Sequence, residues 1–315
     1  MQTLRRQETP IIASPRTPWL VKLRHELRRS NKWGYVFIAP LLLDFLIFTV
    51  YLVFRVGTMA FQSVAFGQTT WVGLQQFQAV LGDSDFWNAM KNTTVYTLAV
   101  VPGELFVALI LAEFIYRRSP RIQVFYKSAY YLPVVVSTVV LSIVWTWIYQ
   151  PFSGILNYAV SIVGAKPNNW LGNPQTAMLA IIAMTIISGI GTPVVFITAA
   201  MGGIPTELYD AAQIDGASDW VRFWRVTVPL LRPTILYLSV VGFIGTFQVF
   251  EQIYVMTQGG PGYPGATETV GYLIYASAFT AFDFGKAAAQ SVILFFAILI
   301  FSIAQFRIFA ADVEY

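Results

Sequence analysis

Six apolar stretches, each long enough to cross ~30 Å of hydrocarbon at about 20 residues per helix, alternate with polar intervals along the chain. They lie at Val36 to Phe54, Thr93 to Phe114, Ala129 to Tyr149, Ala177 to Ala200, Ile235 to Ile253 and Ala287 to Ile308. Every backbone polar group in lipid must be bonded within its own segment, so each stretch is predicted to be a helix. The intervals are of two kinds. Gly57 to Asn92, Gln150 to Gln175 and Tyr254 to Gly285 are rich in Gly, Pro and aromatic residues, which predicts ordered turns at a membrane face. Within the last of these, Gly271 to Ala281 is predicted to be a short helix and not a seventh span. The interval 202–233 is different: it is polar, charged and patterned as two further helices separated by a glycine.

Composition agrees with a membrane protein. Of 315 residues, 56% are hydrophobic and 11% charged, against about 25% charged in a soluble domain, and mean hydropathy is +0.61. Aromatic residues make up 16%, and Trp145, Trp147 and Tyr149 fall near the end of an apolar run. They are read either as an interfacial belt or as ordinary packing.

Charge placement predicts orientation. Arg5, Arg6, Arg16, Lys22, Arg24, Arg28, Arg29 and Lys32 precede the first run. Arg117, Arg118, Arg121 and Lys127 follow the second, Arg222, Arg225 and Arg232 the fourth, and Arg307 ends the sixth; Arg55, Lys91, Lys166 and Lys286 lie on the other side. Lys and Arg collect in cytoplasmic loops, so both termini and the interval 202–233 are expected in the cytoplasm. This bias accounts for the net charge of +4 and the pI near 9.2 without nucleic acid. The proline-broken first 32 residues are not read as a cleavable signal.

Polar groups inside apolar runs are functional candidates by default, because charges at depth cost at least ~2.5–3.5 kcal/mol on insertion scales. They are Asp44, Glu104, Glu113, Gln248 and Glu251. Glu113 is expected to pair with Arg117 or Arg118 at a helix end. Gln248 and Glu251 are expected at i, i+3 on one helix face, binding either a polar solute or a neighbouring helix. Pro40, Pro102, Pro133 and Pro193 lie in the runs; they either kink pathway-lining helices or reflect the general enrichment of Pro in membrane helices.

In the interval 202–233, Thr206 is expected to cap a helix, with Glu207 and Asp210 in a first turn that favours anions. Ala211 and Ala212 keep one face small, and Gly216 is expected as a left-handed C-terminal residue. Ser218 or Asp219 would cap a second helix, in which Trp220, Phe223 and Trp224 share a face suited to the membrane boundary. Pro229 and Pro233 redirect the chain. The pattern fits a docking element or a surface helix without a partner. Catalytic apparatus is missing from the sequence: there is no G-x-x-x-x-G-K-[ST] phosphate loop, no cysteine, a single histidine (His25) and no G-x-S-x-G elbow. The chain is therefore expected to be no enzyme and to bind no metal or cofactor.

The arrangement Asp210-Ala211-Ala212, three residues, Gly216, nine residues, Val226-Thr227-Val228-Pro229 resembles the cytoplasmic EAA loop of ABC importer membrane subunits. Ile204-Pro205, Glu207-Leu208-Tyr209, Ile214-Asp215-Gly216-Ala217 and Pro229-Leu230-Leu231-Arg232-Pro233 resemble the carbohydrate-importer branch. So do Leu132-Pro133, Gly154-Ile155-Leu156-Asn157, Trp170-Leu171 and Thr257-Gln258-Gly259-Gly260-Pro261-Gly262, the last resembling its MalF/UgpA-like member. Two departures stand out: Asp210 replaces the Glu of the motif, and Gly189 stands where many relatives carry Trp.

The resemblance implies an all-α integral membrane fold of the maltose-importer permease type. It has six transmembrane helices and a cytoplasmic EAA coupling helix between spans four and five. The implied organisation is a basic cytoplasmic segment 1–32, a permease domain 33–309 with coupling loop 202–233, and a cytoplasmic tail 310–315. Coupling to the ATPase would rest on Glu207, Leu208, Asp210, Ala211, Ala212, Asp215, Gly216 and Pro229. Gln248, Glu251, Tyr254 and Thr192 are candidates for the substrate pathway. Implied partners are a second, MalG-like permease, two cytoplasmic ATPase subunits that hold the ATP and Mg, an extracytoplasmic sugar-binding protein and the lipid bilayer. The implied location is a bacterial or archaeal cytoplasmic membrane. The expected cargo is a carbohydrate, a di- or oligosaccharide, with glycerol-phosphate as the alternative. A proton-coupled secondary transporter using Glu104 or Glu251 would predict inverted repeats, and the sequence has no visible repeat.

Overall fold

The computed structural model describes residues 32–65, 68–260, 262 and 265–310. The basic segment before Lys32, the tail after Ala310 and Pro261 of the glycine-rich motif lie outside the described residues. The chain divides into two units, one ending at Arg55 and one beginning at Val56. The first apolar run is α1 (Lys32–Phe45), a π-helical turn (Leu46–Tyr51) just beyond Pro40, and α2 (Leu52–Met59).

Two short strands follow, β1 (Gln62–Ala65) and β2 (Gln68–Trp71), paired antiparallel with Gln62 opposite Trp71. This hairpin falls within the interval Gly57 to Asn92, between apolar runs, and leaves the fold mainly helical. Thr69 and Thr70 are β-branched and suit a strand, and Phe61 stacks on Trp71 at 5.6 Å. Then come α3 (Gln75–Leu81), α4 (Ser84–Tyr116), α5 (Pro120–Val135), α6 (Thr138–Ile148) and α7 (Ile155–Ile162). The chain continues through α8 (Pro174–Gly189), α9 (Gly191–Met201), α10 (Thr206–Ile214), α11 (Asp219–Arg222), a π turn (Phe223–Thr227) and α12 (Val228–Leu230). It ends with α13 (Arg232–Phe247), α14 (Glu251–Met256), α15 (Val270–Tyr275), a π turn (Ala276–Thr280) and α16 (Phe284–Ala310).

Three helices are long and apolar enough to cross a bilayer unbroken: Tyr35–Met59, Ser84–Tyr116 and Phe284–Ile308. Three pairs meet the same standard only together, and each is bent: α5 with α6 by 98°, α8 with α9 by 43°, and Asp219–Leu230 with α13 by 67°. Counting each bent pair as one span gives six. The single helices expected at Ala129 to Tyr149 and Ala177 to Ala200 are thus broken, at Val136–Ser137 and Ile190. The bend of the third pair falls at Leu231, ahead of Ile235, and the run Ile235 to Ile253 is broken separately at Gln248–Phe250, between α13 and α14. Proline does not decide where. α4 runs through Pro102 without a break, whereas α5 ends just after Pro133, where the Val136 amide donates back to the Pro133 carbonyl. At the second break, a Cβ on Gly191 would lie 2.2 Å from the Tyr130 carbonyl oxygen, so α9 starts against the backbone of α5. The helix expected over Gly271 to Ala281 is present as α15 and its π turn.

α4 passes through all three clusters of the core. Phe86, Ala89 and Val101 join Phe243, Phe247, Ala289 and Leu294; Tyr96 and Val100 join Ile181, Met184 and Ile253. Ala108, Ala112 and Ile115 join Val194, Ile197 and Met201. Alanine at the closest approaches lets neighbouring backbones come together, as membrane bundles require. The Gly154…Asn157…Trp170 motif is a loop staple. Buried Asn157 donates to the Pro151 and Asn168 carbonyls at 2.9 and 2.8 Å and accepts from Trp170 Nε1 at 2.8 Å.

Candidate functional site

The loop 202–233 is built from local chemistry. The residue before α10 is Pro205, and no side chain caps the helix; Thr206 is therefore its first helical residue and not its cap. Proline's fixed φ suits a helix start, and the Leu208 amide reaches the Pro205 carbonyl. The other end follows the expectation. Gly216 has φ +76°, its amide donates to Gln213, and the Ala217 amide donates to the Ala212 carbonyl at 2.9 Å. This is the paired C-terminal closure in which glycine avoids the left-handed penalty. The Ser218 hydroxyl then accepts from the Val221 amide and caps α11.

One side of α10 is anchored and the other is open. The Tyr209 hydroxyl bonds Thr227 Oγ1 at 3.1 Å. Glu207, Leu208, Asp210, Ala211, Asp215 and Gly216 are exposed, Ala212 and Pro229 are half-buried, and Ile214 is 87% exposed. The expected aromatic face forms: the rings of Trp220, Phe223 and Trp224 pack on one another with centroids 5.0 to 6.1 Å apart. Phe223 is buried among Ile115, Met201 and Leu231, and Trp220 is exposed at the outer edge. The ion pair expected at Glu113 forms with Arg117, which also binds Asp219. That second contact has no local signal in sequence, since its partners lie 102 residues apart.

A second candidate region lies along the bundle. A cavity of about 470 Å³ is lined by Tyr96, Thr185, Thr246, Gln248, Glu251 and Gln252 among others. Gln248 and Glu251 share it, but not as one helix face. Gln248 closes α13 and Glu251 opens α14, with Phe250 at φ −142° between them. The break is braced: Thr269 Oγ1 donates to the Val249 carbonyl at 3.1 Å, and Gly271 leaves that oxygen room, since a Cβ there would lie 2.5 Å away. Gln248 Nε2 donates to the Ile244 carbonyl at 2.8 Å, and the Tyr96 hydroxyl bonds Thr185 Oγ1 at 2.9 Å. Tyr254 packs its ring against Phe250 and edge-on against Tyr275 beside the cavity. Thr192 is half-buried at the start of α9 and is not part of this lining. A larger groove of about 770 Å³ between α13, α15 and α16 is apolar apart from Gln248, Tyr275 and two serines. The smaller cavity therefore holds the hydroxyl, amide and carboxylate groups that could bind a hydroxyl-rich solute.

At the end of α4 away from the loop 202–233, Asp83 accepts from Lys286 Nζ at 2.9 Å, which holds the Asp83 carboxyl below its ordinary range. Asn92 donates to the carbonyls of Gly265 and Glu268 at 3.2 and 3.0 Å, docking the loop before α15 on α4. Burial, with Asp85 and Asp83 close by, pushes Glu268 up to about 7. Among the described residues, no group of three or more His, Cys, Asp or Glu is placed to hold a metal ion.

Comparison with known proteins follows the same lines. The family model described as binding-protein-dependent transport system inner membrane component matches residues 104–313. The arabinooligosaccharides transport system permease protein AraP of Bacillus subtilis is 32% identical over 276 residues, covering 87% of each chain. The sn-glycerol-3-phosphate transport system permease protein UgpA of Escherichia coli O157:H7 is 33% identical over 294 residues, covering 91% of this chain and 97% of its own. Among solved structures, a bacterial ABC transporter involved in import of the acidic polysaccharide alginate aligns with TM-score 0.82 at 23% identity, over 93% of this chain and all of its own. The chain belongs to the family of binding-protein-dependent transport system inner membrane components, as a permease of the MalF/UgpA-like type.

Proposed function

We propose that this chain is one of two permease subunits of an ABC importer and forms half of the translocation pathway for a di- or oligosaccharide. The exposed helix α10 is the element that carries the reading. It is short, anchored through Tyr209 and closed by left-handed Gly216, so it offers Glu207, Leu208, Asp210, Ala211 and Asp215 to a partner as a rigid face. In this reading the loop 202–233 and both termini are cytoplasmic, as the positive-inside bias supports. Two ATPase subunits bind ATP and Mg, and one of them receives α10. A second, MalG-like permease completes the pathway, and an extracytoplasmic binding protein delivers the solute. The chain comprises a basic segment 1–32, a permease domain 33–309 and a tail 310–315. Gln248 and Glu251, sharing a cavity with tyrosine and threonine hydroxyls, contact the solute.

AraP supports a sugar cargo, and UgpA keeps sn-glycerol 3-phosphate as the second reading. The test is uptake by proteoliposomes that contain this chain, its second permease and the ATPase, with the binding protein supplied outside and ATP inside. ATP-dependent accumulation of a di- or oligosaccharide is expected. Accumulation of sn-glycerol 3-phosphate alone would establish the second reading. Uptake by this chain without partners would refute both.

A further inference from the structure

A continuous chain of polar side chains joins the end of α4 to α10. Arg117 closes α4. Its guanidinium donates to Glu113 on its own helix, through Nε at 2.7 Å, and to Asp219 at the start of α11. Asp219 also accepts from Arg222, and Arg222 Nη1 donates to Gln213 Oε1 on α10 at 3.2 Å. Below this chain the Tyr209 hydroxyl meets Thr227 at 3.1 Å. An open cleft of about 220 Å³ is lined by Glu113, Arg117, Tyr209, Arg222, Phe223 and Thr227, among others.

The covalent route from α10 to α13 is jointed. It passes left-handed Gly216, a π turn, and a 67° bend at Leu231. The side-chain route bypasses these three joints and ends on the longest helix described, 33 residues without a break. At 1.5 Å per residue such a rod is roughly 50 Å long. Along it lie Tyr96, which lines the solute cavity, and Asn92, which holds the loop before α15. Arg117 and Asp219 are also not positioned for stability. Their side chains are 43% and 58% exposed, and pairs at such exposure contribute little.

We propose that Arg117 and Asp219 are positioning residues for coupling: they clasp α10 to span two, so that displacement of the coupling helix moves α4 directly as well as α13. This rests on the coupling role of α10 proposed above. The experiment uses the assembled importer in proteoliposomes and compares Arg117→Gln, Asp219→Asn and the double variant. The readouts are solute imported per ATP hydrolysed and co-purification of the ATPase subunits. Each single variant is expected to keep its ATPases and to lower uptake per ATP by about 1.4- to fivefold, the range that an exposed ion pair spans. The double variant is expected to be no worse than either single, and Arg117→Lys is expected to restore part of the coupling. Unchanged uptake per ATP in both single variants, or losses that add in the double, would overturn the clasp. Gly216→Val serves as control. If it impairs uptake while the clasp variants do not, the clasp alone is wrong; if it too is without effect, the coupling role of α10 fails with it.

Discussion

Gly189 and Glu104 explain each other. A Cβ at position 189 would lie 2.2 Å from Glu104 Oε1, so the absence of a side chain on α8 is the space that the α4 carboxylate occupies. The two residues are separate oddities in the sequence, a charge at depth and a glycine within an apolar run; only the packing of α4 on α8 joins them. Gly189→Ala is expected to cost at most about 1 kcal/mol, the low end for overpacking, because the atom in the way is the movable end of the Glu104 side chain. Glu104→Ala should recover most of that loss in the double variant. Thermal unfolding in detergent checks this, and additive losses would show that the two sites do not share the space. Gly216 is a glycine of another kind. Nothing lies within 4 Å of a Cβ built there, but its φ is +76°, so substitution is opposed by conformation and not by crowding. Gly216→Val should cost about 1–2 kcal/mol and abolish uptake with membrane insertion intact, whereas Gly216→Asn, which tolerates this conformation, should retain most activity. Equal uptake by wild type and the Val variant would contradict this.

Among the elements, helices were legible and their breaks were not. A window of apolar residues reports the cost of transfer into lipid, which is the same for a straight helix and a bent one. The breaks depend on distant partners: Tyr130 against Gly191, and Thr269 on the freed carbonyl of Val249. Proline was a poor guide for the same reason, ending α5 near Pro133 and leaving α4 whole at Pro102. The end of α10 could be read because left-handed glycine closure is local, while the Arg117–Asp219 contact could not. The loop before α15 yields a pH prediction of the same non-local origin. Glu268 ionises near the ordinary 4.5 when free and near 7 when docked. Docking is therefore strongest below 4.5, weakens as pH rises from there to about 7 and levels off above it. Asp83 stays ionised throughout, paired with Lys286, so the repulsion that Glu268 meets on ionising persists. Hydrogen exchange at the Val270 amide, which donates to Thr93 Oγ1, should be faster at pH 8 than at pH 5.5 after correction for intrinsic rates. Glu268→Gln should remove most of the difference; a difference that persists would place its source elsewhere.

For the molecule as a whole, the polar cavity and the exposed α10 are separate sites on one scaffold, with α4 running through all three core clusters between them. That arrangement predicts a double dissociation in the proposed importer. Gln248→Ala or Glu251→Ala removes a polar group from the cavity wall but touches nothing on α10. Loss of one hydrogen bond to a polar solute is worth about 0.5–1.5 kcal/mol, or 1.5–3 where the group is charged, so the half-saturating solute concentration should rise, and by more for Glu251. ATPase subunits should still co-purify, and hydrolysis in the absence of solute should stay near wild type. Asp210→Lys reverses the charge of an exposed residue on α10 and leaves the cavity intact. It should release the ATPases and abolish uptake while the cavity keeps its shape. Measuring uptake and ATPase retention on the same three preparations decides the matter. If the cavity variants leave uptake unchanged, Gln248 and Glu251 serve only to cap and start their helices. If Asp210→Lys retains both ATPases and full uptake, the exposed face of α10 is not where they dock.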